Sequence, residues 1–168
     1  HAILTGEPLI GNEPFAVVLA DDLCDFSGNE GISQMIKLYN QYKCSVVAIE
    51  EVPMDQTSKY GIITGKPIKN SKNTYLVTDM VEKPSEDIAP SNMAIIGRYI
   101  LTPDIFNILK NIKPNKDGEI QITDALKIQA KQSRVIGYKF KGRRFDCGSV
   151  EGYLEATNYF ADVLGINI

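Results

Sequence analysis

The chain has 168 residues, of which 43% are hydrophobic and 23% are charged, and its formal net charge is -3. This composition is typical of a single globular domain spanning residues 1–168 and excludes disordered and collagen-like proteins. Lysines and arginines are scattered, no basic-then-apolar leader opens the chain, and no apolar run approaches the roughly 20 residues that cross a bilayer, so we expect a cytoplasmic protein without nucleic acid or membrane partners.

The first half of the chain predicts a strand, a helix and a second strand. Residues 15–20 form a continuous apolar run of strand length, which indicates a strand buried on both faces of a parallel sheet. Residues 45–49 form a second such run, so we expect a parallel unit with a right-handed crossover. The intervening helix carries its apolar residues at helical spacing: Ile32, Met35, Ile36 and Tyr39.

The second half predicts a β-hairpin followed by alternating strands and helices. Short β-prone runs at 60–68 and 74–82, separated by polar residues, predict the antiparallel hairpin. Thr102-Pro103 ends a longer strand and begins a helix with proline at its first position. The later predicted elements are a strand at 93–101, helices at 103–110 and 121–132, a strand at 135–140, a turn at 143–148 and a last helix with Val150, Tyr153, Leu154, Thr157, Ala161 and Leu164 on its apolar side.

Acidic residues follow a predicted strand and precede the last helix. Asp21 and Asp22 come just after the first strand, where open α/β sheets form their binding crevices, although a turn or helix cap explains them equally well. Asp146 precedes the last helix, whose amino end favours anions, and capping that helix is its simpler role. If Asp21 and Asp146 pair, their hard oxygen ligands together with phosphate oxygens suit Mg²⁺.

Glu82-Lys83-Pro84 ends a β-prone run. The proline favours an extended Lys83, and a lysine held at a strand end suits a phosphate group, although exposed turns of this sequence are common. Gly61 is either a turn residue or a place where a ligand approaches the backbone.

Several other chemistries are disfavoured. Cys24, Cys44 and Cys147 are odd in number and far apart, so we expect free thiols, with Cys24 and Cys44 as small apolar fillers. The only histidine is His1, which disfavours a histidine-based catalytic triad. The chain contains neither G-x-G-x-x-G nor a P-loop.

Ordered sequence blocks along nearly the whole chain resemble the bacterial UTP–glucose-1-phosphate uridylyltransferases. The blocks are LADD at 19–22, YG at 60–61, VEKP at 81–84, PSNMAIIGRY at 90–99, GEIQITDA at 118–125 and FDCG at 145–148. Ala20 stands where the family usually has proline. The family's amino-terminal glycine-rich loop has no counterpart, and the chain starts abruptly at His1, so we expect an N-terminally truncated chain.

The resemblance implies an α/β, Rossmann-like, three-layer nucleotide-diphospho-sugar transferase fold. Its sheet is expected to be mixed and mostly parallel, with helices on both faces and an antiparallel hairpin region. Matched position by position, Asp21 and Asp146 resemble the aspartates that bind Mg²⁺, and Lys83 resembles the lysine that contacts the sugar phosphate. The residues that resemble the sugar pocket are Gly61, Glu82, Asn92 and Ile95.

The implied reaction transfers the uridylyl group of UTP to glucose 1-phosphate, giving UDP-glucose and pyrophosphate. It proceeds by Mg²⁺-assisted in-line attack without a covalent enzyme intermediate. We expect these 168 residues alone to be inactive and the intact protein to be a homo-oligomer. Two alternatives stay open: a thymidylyltransferase or other hexose-1-phosphate nucleotidylyltransferase, and a non-catalytic sugar-phosphate-binding module.

Overall fold

The computed structural model describes residues 1–26, 31–71 and 73–166. The elements follow in the order α1 (Ala2–Thr5), α2 (Glu7–Ile10), β1 (Phe15–Val18), β2 (Asp22–Asp25), α3 (Ile32–Tyr42), β3 (Ser45–Glu51), a 3₁₀ helix (Met54–Lys59), β4 (Gly61–Pro67), β5 (Thr74–Glu82), β6 (Met93–Leu101), α4 (Ile105–Asn111), α5 (Ile122–Lys131), β7 (Val135–Lys139), β8 (Arg143–Asp146) and α6 (Val150–Leu164). None of the helices in these ranges is long and apolar enough to cross a membrane.

The main sheet is mixed and has the strand order β1-β6-β3-β7-β5-β4. Strands β3 and β7 pair in parallel, whereas the other pairings within the described residues are antiparallel. A mixed sheet was predicted, but the prediction that most of it is parallel is wrong for this part of the chain. The reason is that β6 enters between β1 and β3 and runs antiparallel to both.

Strand β1 lies at the edge of the sheet. The apolar run at 15–20 predicted a strand buried on both faces, but β1 ends at Val18 and its residues alternate between partly buried and exposed. Val18 itself is 55% exposed. Within the described residues β1 has a neighbouring strand, β6, on one side only. An apolar run becomes buried on both faces only where other elements cover both, and the described residues do not cover both faces of β1.

Helices cover both faces of the sheet, as the three-layer prediction required. On one face, Val47 and Ile49 of β3 belong to an apolar cluster that includes residues of α4 and α5. On the other face, Val46 and Ala48 pack in a cluster with Met35 of α3. Successive residues of a strand point to opposite faces, so one strand serves both cores.

The hairpin and the helices after it agree with the sequence to within a few residues. Strands β4 and β5 pair antiparallel, with Gly61 opposite Glu82. Helix α5 is one residue shorter at each end than predicted. Helix α4 begins at Ile105, two residues later than predicted, after a turn in which Ile105 N–H donates to the Thr102 carbonyl.

The segment predicted as a turn at 143–148 contains a strand. Arg143–Asp146 is β8, which pairs antiparallel with β2 in a separate two-stranded ribbon. Asp146 does not cap the helix that follows. Ser149 is the N-cap of α6, and its Oγ accepts a hydrogen bond from Gly152 N–H. The N-cap role that the sequence suggested for Asp146 therefore belongs to Ser149.

Two helices bury different faces from those predicted. In α3, Leu38 is buried in addition to Met35, while Ile36 is exposed. In α6 the residues Ala156 and Ala161 are buried, whereas the predicted apolar stripe lies largely on the surface: Val150, Tyr153, Leu154 and Leu164. Helical spacing identifies the apolar face of a helix, but whether that face is buried depends on which other elements pack against it.

Candidate active site

A cleft of about 390 Å³ opens where the β4–β5 hairpin and β6 meet the β2–β8 ribbon. This volume is in the range of small-molecule binding sites. Most of the site residues predicted from sequence line the cleft: Asp21, Gly61, Glu82, Lys83, Ile95 and Asp146. Asn92 is not among the described lining residues. It lies just before β6, where its carbonyl accepts a hydrogen bond from Val52 N–H at 3.0 Å.

The segment that carries Asp21 is held against the middle of β6. Leu19 N–H donates to the Gly97 carbonyl at 2.9 Å, and Asp22 Oδ2 accepts from Gly97 N–H at 2.6 Å. A Cβ at Gly97 would lie 2.7 Å from Leu19 Cβ, so only glycine permits this approach. Arg98 completes the attachment by donating to the carbonyls of Leu19 and Asp22. Contacts with β6 therefore hold the chain both before Asp21, at Leu19, and after it, at Asp22.

Asp146 is fixed by backbone and side-chain contacts at the end of β8. Cys147 N–H donates to the Asp21 carbonyl at 2.7 Å, which ties the two acidic segments together. Asp146 Oδ1 accepts from Gly148 N–H at 3.2 Å, and Oδ2 accepts from the Tyr60 hydroxyl at 3.3 Å. These contacts orient the carboxylate toward the segment that carries Asp21.

The carboxylates of Asp21 and Asp146 share the space beside Gly148. A Cβ at Gly148 would lie 3.2 Å from Asp146 Oδ1 and 3.5 Å from Asp21 Oδ2. In residues 1–26, 31–71 and 73–166, no cluster of at least three His, Cys, Asp or Glu forms a metal site. A cation beside Gly148 would thus have two protein carboxylates and would take its other ligands from water or a bound phosphate. Mg²⁺ is commonly held in this way.

Asp22 does not act with Asp21 as a pair of free carboxylates. Its Oδ1 accepts a hydrogen bond from Arg144 Nε at 2.5 Å, and the two side chains are 8% and 9% exposed. Burial by itself would lower the pKa of Arg144, but the hydrogen bonds and charges of Tyr60 and Asp22 outweigh it and raise that pKa. The cation beside Asp22 is therefore the guanidinium of Arg144 and not a metal ion.

Arg144 also faces the rest of the site. Its guanidinium lies 3.6 Å from Asp146 Oδ2 and 3.7 Å from Glu50 Oε2, and it donates to the Tyr60 hydroxyl at 3.3 Å. The guanidinium carbon lies 4.9 Å from the centre of the Tyr60 ring. Burial and the charge of Asp22 raise the pKa of Glu50 against the lowering effect of Arg144. One buried guanidinium thus contacts Asp22, Tyr60 and Asp146, which line the cleft, and lies near Glu50.

The other half of the cleft is formed by the hairpin, β6 and α5. Gly61 and Glu82 lie opposite each other in the hairpin register. Glu82 Oε2 accepts a hydrogen bond from the hydroxyl of Thr123 in α5. Ile95 adds a buried apolar surface from β6. This half therefore offers a carboxylate, backbone groups and an apolar wall, a combination that suits a polyhydroxylated ligand.

Lys83 has an unusual backbone conformation. The sequence predicted an extended residue because Pro84 follows, but the φ angle of Lys83 is 44°. Its N–H donates to the Tyr60 carbonyl at 3.0 Å, which extends the hairpin by one contact before the chain turns. A non-glycine residue in this region costs about 1–3 kcal/mol, and such positions cluster at binding sites. The extended prediction was wrong because a long-range hydrogen bond outweighs the local preference.

The cleft residues that the sequence did not predict include three whose side chains hold its carboxylates: Tyr60, Thr123 and Arg144. Tyr60 and Thr123 belong to sequence blocks that carried the family resemblance, and Arg144 lies just before the last block. Their location in or beside these blocks was the signal in the sequence that could have identified them as site residues. Which of the neighbouring side chains faces the cleft depends on strand register and helix orientation, and these were not predicted.

Comparison with known proteins agrees with this geometry. Residues 1–163 match the nucleotidyl transferase family model. The chain belongs to this family. The resemblance inferred from the ordered sequence blocks is confirmed at this level, and so is the layered α/β fold.

Members of the family with assigned names are closely similar to the chain. A UTP–glucose-1-phosphate uridylyltransferase of Pseudomonas aeruginosa is 62% identical over 160 residues, which is 95% of this chain and 57% of the relative. The crystal structure of a UDP-glucose pyrophosphorylase complexed with UDP-glucose superimposes with a TM-score of 0.91 and 60% identity, covering 96% of this chain and 61% of that one. A UTP-bound UGPase from Acinetobacter baumannii gives a TM-score of 0.83 and 36% identity, with 96% and 55% coverage. The chain thus spans 57% of the length of the curated relative from Pseudomonas aeruginosa.

Proposed function

We propose that the protein containing this chain is a UTP–glucose-1-phosphate uridylyltransferase. It would transfer the uridylyl group of UTP to glucose 1-phosphate and release pyrophosphate. The observation that carries the proposal is the approach of Asp21 and Asp146 to one space, beside a hairpin that presents Glu82 and Lys83. The high identity to named uridylyltransferases supports it.

The hairpin half of the cleft would hold the sugar phosphate. Glu82 has one carboxylate oxygen engaged by Thr123, which leaves the other to accept hydrogen bonds from sugar hydroxyls. Gly61 offers backbone groups without a side chain between them and the ligand. Lys83 would supply a compact positive charge to the phosphate. Together these groups would fix the acceptor in position.

Asp21 and Asp146 would hold a divalent cation, which we propose is Mg²⁺. The donor set fits this ion, because two hard carboxylates face one space and the remaining positions can be filled by phosphate oxygens. When bound, such an ion neutralises phosphate charge and withdraws electron density from the reacting phosphorus.

The protein groups would act by positioning and by charge rather than by forming a covalent intermediate. Lys83 would bring the anionic acceptor to the nucleotide, and Glu82 would fix the orientation of the sugar. Orientation of two bound reactants accounts for much of the acceleration in phosphoryl-group transfer. Arg144 would help to keep the Asp146 carboxylate in place, since its guanidinium lies 3.6 Å from Asp146 Oδ2.

A nucleotide panel tests the proposed function. The complete gene product is incubated with glucose 1-phosphate, Mg²⁺ and one of UTP, dTTP, ATP, CTP or GTP, and the nucleotide sugar and pyrophosphate are quantified. We expect UDP-glucose from UTP at the highest kcat/KM. A preference for dTTP would make the protein a thymidylyltransferase, and sugar-phosphate binding without turnover of any nucleotide would make it a binding module.

Further parts of the proposal concern the whole protein. We expect no turnover from the 168 residues by themselves, because they span 57% of the length of the Pseudomonas aeruginosa relative and groups that act as a unit lose their effect when separated. We also expect a cytoplasmic homo-oligomer. Light scattering on the complete gene product measures the oligomeric state, and cell fractionation measures the location.

A further inference from the structure

Thr123 lies at the junction of three elements in the sugar half of the cleft. It is the second residue of α5, it is 4% exposed, and its hydroxyl donates to Glu82 Oε2 at the end of β5. The third element is β4, which begins at Gly61. A residue of α5 is therefore joined directly to the carboxylate proposed to recognise the sugar.

The contact with β4 shows how closely the three elements fit. A Cβ at Gly61 would lie 3.1 Å from Thr123 Oγ1, 3.2 Å from Glu82 Oε2 and 3.4 Å from Ile95 Cδ1. Thr123 and Glu82 thus lie over the backbone of Gly61, with little room for either side chain to move toward it. Threonine adds its own stiffness, since β-branching restricts rotation about χ1.

Two further features of the surroundings of Glu82 are the start of α5 and the ring of Tyr99. The hydrogen bond comes from the first turn of α5, where the positive end of the helix dipole favours a carboxylate. Tyr99 lines the same cleft. Burial raises the pKa of Tyr99, and the negative charges of Glu82 and Asp22 raise it further, so this neighbour stays a neutral phenol. One oxygen of Glu82, Oε2, is thus occupied by Thr123.

We propose that Thr123 is a positioning residue for sugar recognition: its hydroxyl fixes the rotamer of Glu82 so that Glu82 Oε1 accepts from one sugar hydroxyl. This role rests on the proposed function, because it assigns Glu82 to a hexose phosphate. Thr123 itself acts through Glu82. Its removal should weaken binding of the sugar phosphate more than it slows the transfer step.

The test compares Thr123→Val with Thr123→Ser in the complete gene product. Valine keeps the shape of threonine and removes the donor, whereas serine keeps the donor. For Thr123→Val we expect the KM for glucose 1-phosphate to rise about tenfold, with kcat changed by less than about threefold, because a hydrogen bond to a charged group that aids binding is lost. Thr123→Ser should stay within about twofold of wild type, since the hydrogen bond is retained.

Deoxy analogues of glucose 1-phosphate separate positioning from a general structural effect. With the 2-, 3-, 4- and 6-deoxy compounds as acceptors, the KM penalty of Thr123→Val should persist for most analogues. It should fall below about twofold for the one that lacks the hydroxyl held by Glu82, as in a double-mutant cycle. Glu82→Gln should lose its own penalty with the same analogue.

The matched control is Thr157→Val in α6, where an exposed threonine hydroxyl donates to the Tyr153 carbonyl at 2.8 Å. Thermal unfolding checks that each variant is folded, and Thr123→Ala replaces Thr123→Val if the valine variant is not. If the wild type is active, two results would overturn the role of Thr123 and leave the proposed function standing. One is unchanged kinetics in both Thr123→Val and Thr123→Ala, and the other is the same rise in KM for every analogue. A wild type inactive toward all sugar phosphates would overturn the proposed function and this role with it.

Discussion

Asp22 Oδ1 lies 2.5 Å from Arg144 Nε, and this buried ion pair joins the two segments that carry Asp21 and Asp146. The pair lies within the β2–β8 ribbon, where Asp22 is opposite Asp146 in the register. The second carboxylate oxygen of Asp22, Oδ2, accepts a hydrogen bond from Gly97 N–H of β6. The ion pair thus determines how the proposed metal ligands are supported, although neither of its members needs to bind the metal.

Removal of one member of this pair should destabilise the fold more than removal of both. A single Arg144→Met change leaves Asp22 as an uncompensated buried charge and should lower the free energy of unfolding by about 3 kcal/mol or more. The double variant Asp22→Asn with Arg144→Met should recover most of that loss, because the asparagine oxygen can still accept from Gly97 N–H. Urea unfolding of the two single variants and the double variant gives the coupling energy, and additive losses would show that Asp22 and Arg144 do not stabilise each other.

Gly148→Ala should weaken metal binding without unfolding the protein. The added methyl group would occupy the space that Asp21 and Asp146 share, at 3.5 and 3.2 Å from their carboxylate oxygens. We expect the Mg²⁺ or Mn²⁺ affinity to fall by about tenfold or more, since metal sites tolerate little displacement of their ligands. Calorimetry with each ion measures the affinity. The control is Gly6→Ala, because Gly6 is far from the cleft residues in sequence and a Cβ there would lie 3.3 Å from the Ile3 carbonyl oxygen and 3.5 Å from Ile10 Cδ1. Unchanged affinity in Gly148→Ala would show that the ion does not bind there.

Replacement of Lys83 should separate backbone strain from charge. Because the φ angle of Lys83 is 44°, Lys83→Gly should be more stable than Lys83→Ala by about 1 kcal/mol. Both variants lack the ammonium group, so both should raise the KM for glucose 1-phosphate by about tenfold or more. Denaturant unfolding and steady-state kinetics measure the two effects separately. Equal stability would argue against strain, and unchanged kinetics in both variants would refute the phosphate-binding role.

The stability of the protein should fall at acidic pH partly through Asp104. Burial acts to raise the pKa of Asp104, but hydrogen bonds from Thr102, Arg134 and Gln129 outweigh it and hold that pKa below its usual value. A lowered folded-state pKa stabilises the protein above the unfolded value, about 3.9, and this contribution is lost as the pH falls toward the folded-state value. The stability difference between wild type and Asp104→Asn should therefore be largest above about pH 4 and shrink below it.

Urea unfolding at a series of pH values measures this difference. Asp117→Asn, at an exposed loop position, serves as the control and should show a smaller pH-dependent difference. A difference between wild type and Asp104→Asn that does not change with pH would contradict the assignment.

The sequence was sufficient for the layered fold and for most of the cleft because both depend on local patterns. Apolar periodicity located β3, β5 and α5, and ordered blocks led to Asp21, Glu82, Lys83 and Asp146. The order of strands was not available from these patterns. Insertion of β6 between β1 and β3 is a long-range pairing that leaves no trace in the periodicity of any one strand.

The contacts that hold the site residues in place could not be predicted from the sequence either. Adjacent Asp21 and Asp22 look equivalent in the sequence, but Asp22 pairs with Arg144, which is 122 positions later in the chain. The left-handed backbone of Lys83 likewise depends on a contact with Tyr60 of another segment. Partners that are distant in sequence decide which of several similar side chains remains available for a ligand.

We propose that uridylyl transfer depends on a metal ion held by Asp21 and Asp146 together. The most direct measurement is the initial rate of UDP-glucose formation by the complete gene product and by its Asp21→Asn and Asp146→Asn variants, at saturating UTP, glucose 1-phosphate and Mg²⁺. We expect each variant to lose turnover by at least about tenfold with little change in its unfolding midpoint, because metal ligation is removed from a partly exposed site. Rates close to wild type in either variant would show that its aspartate does not hold the metal.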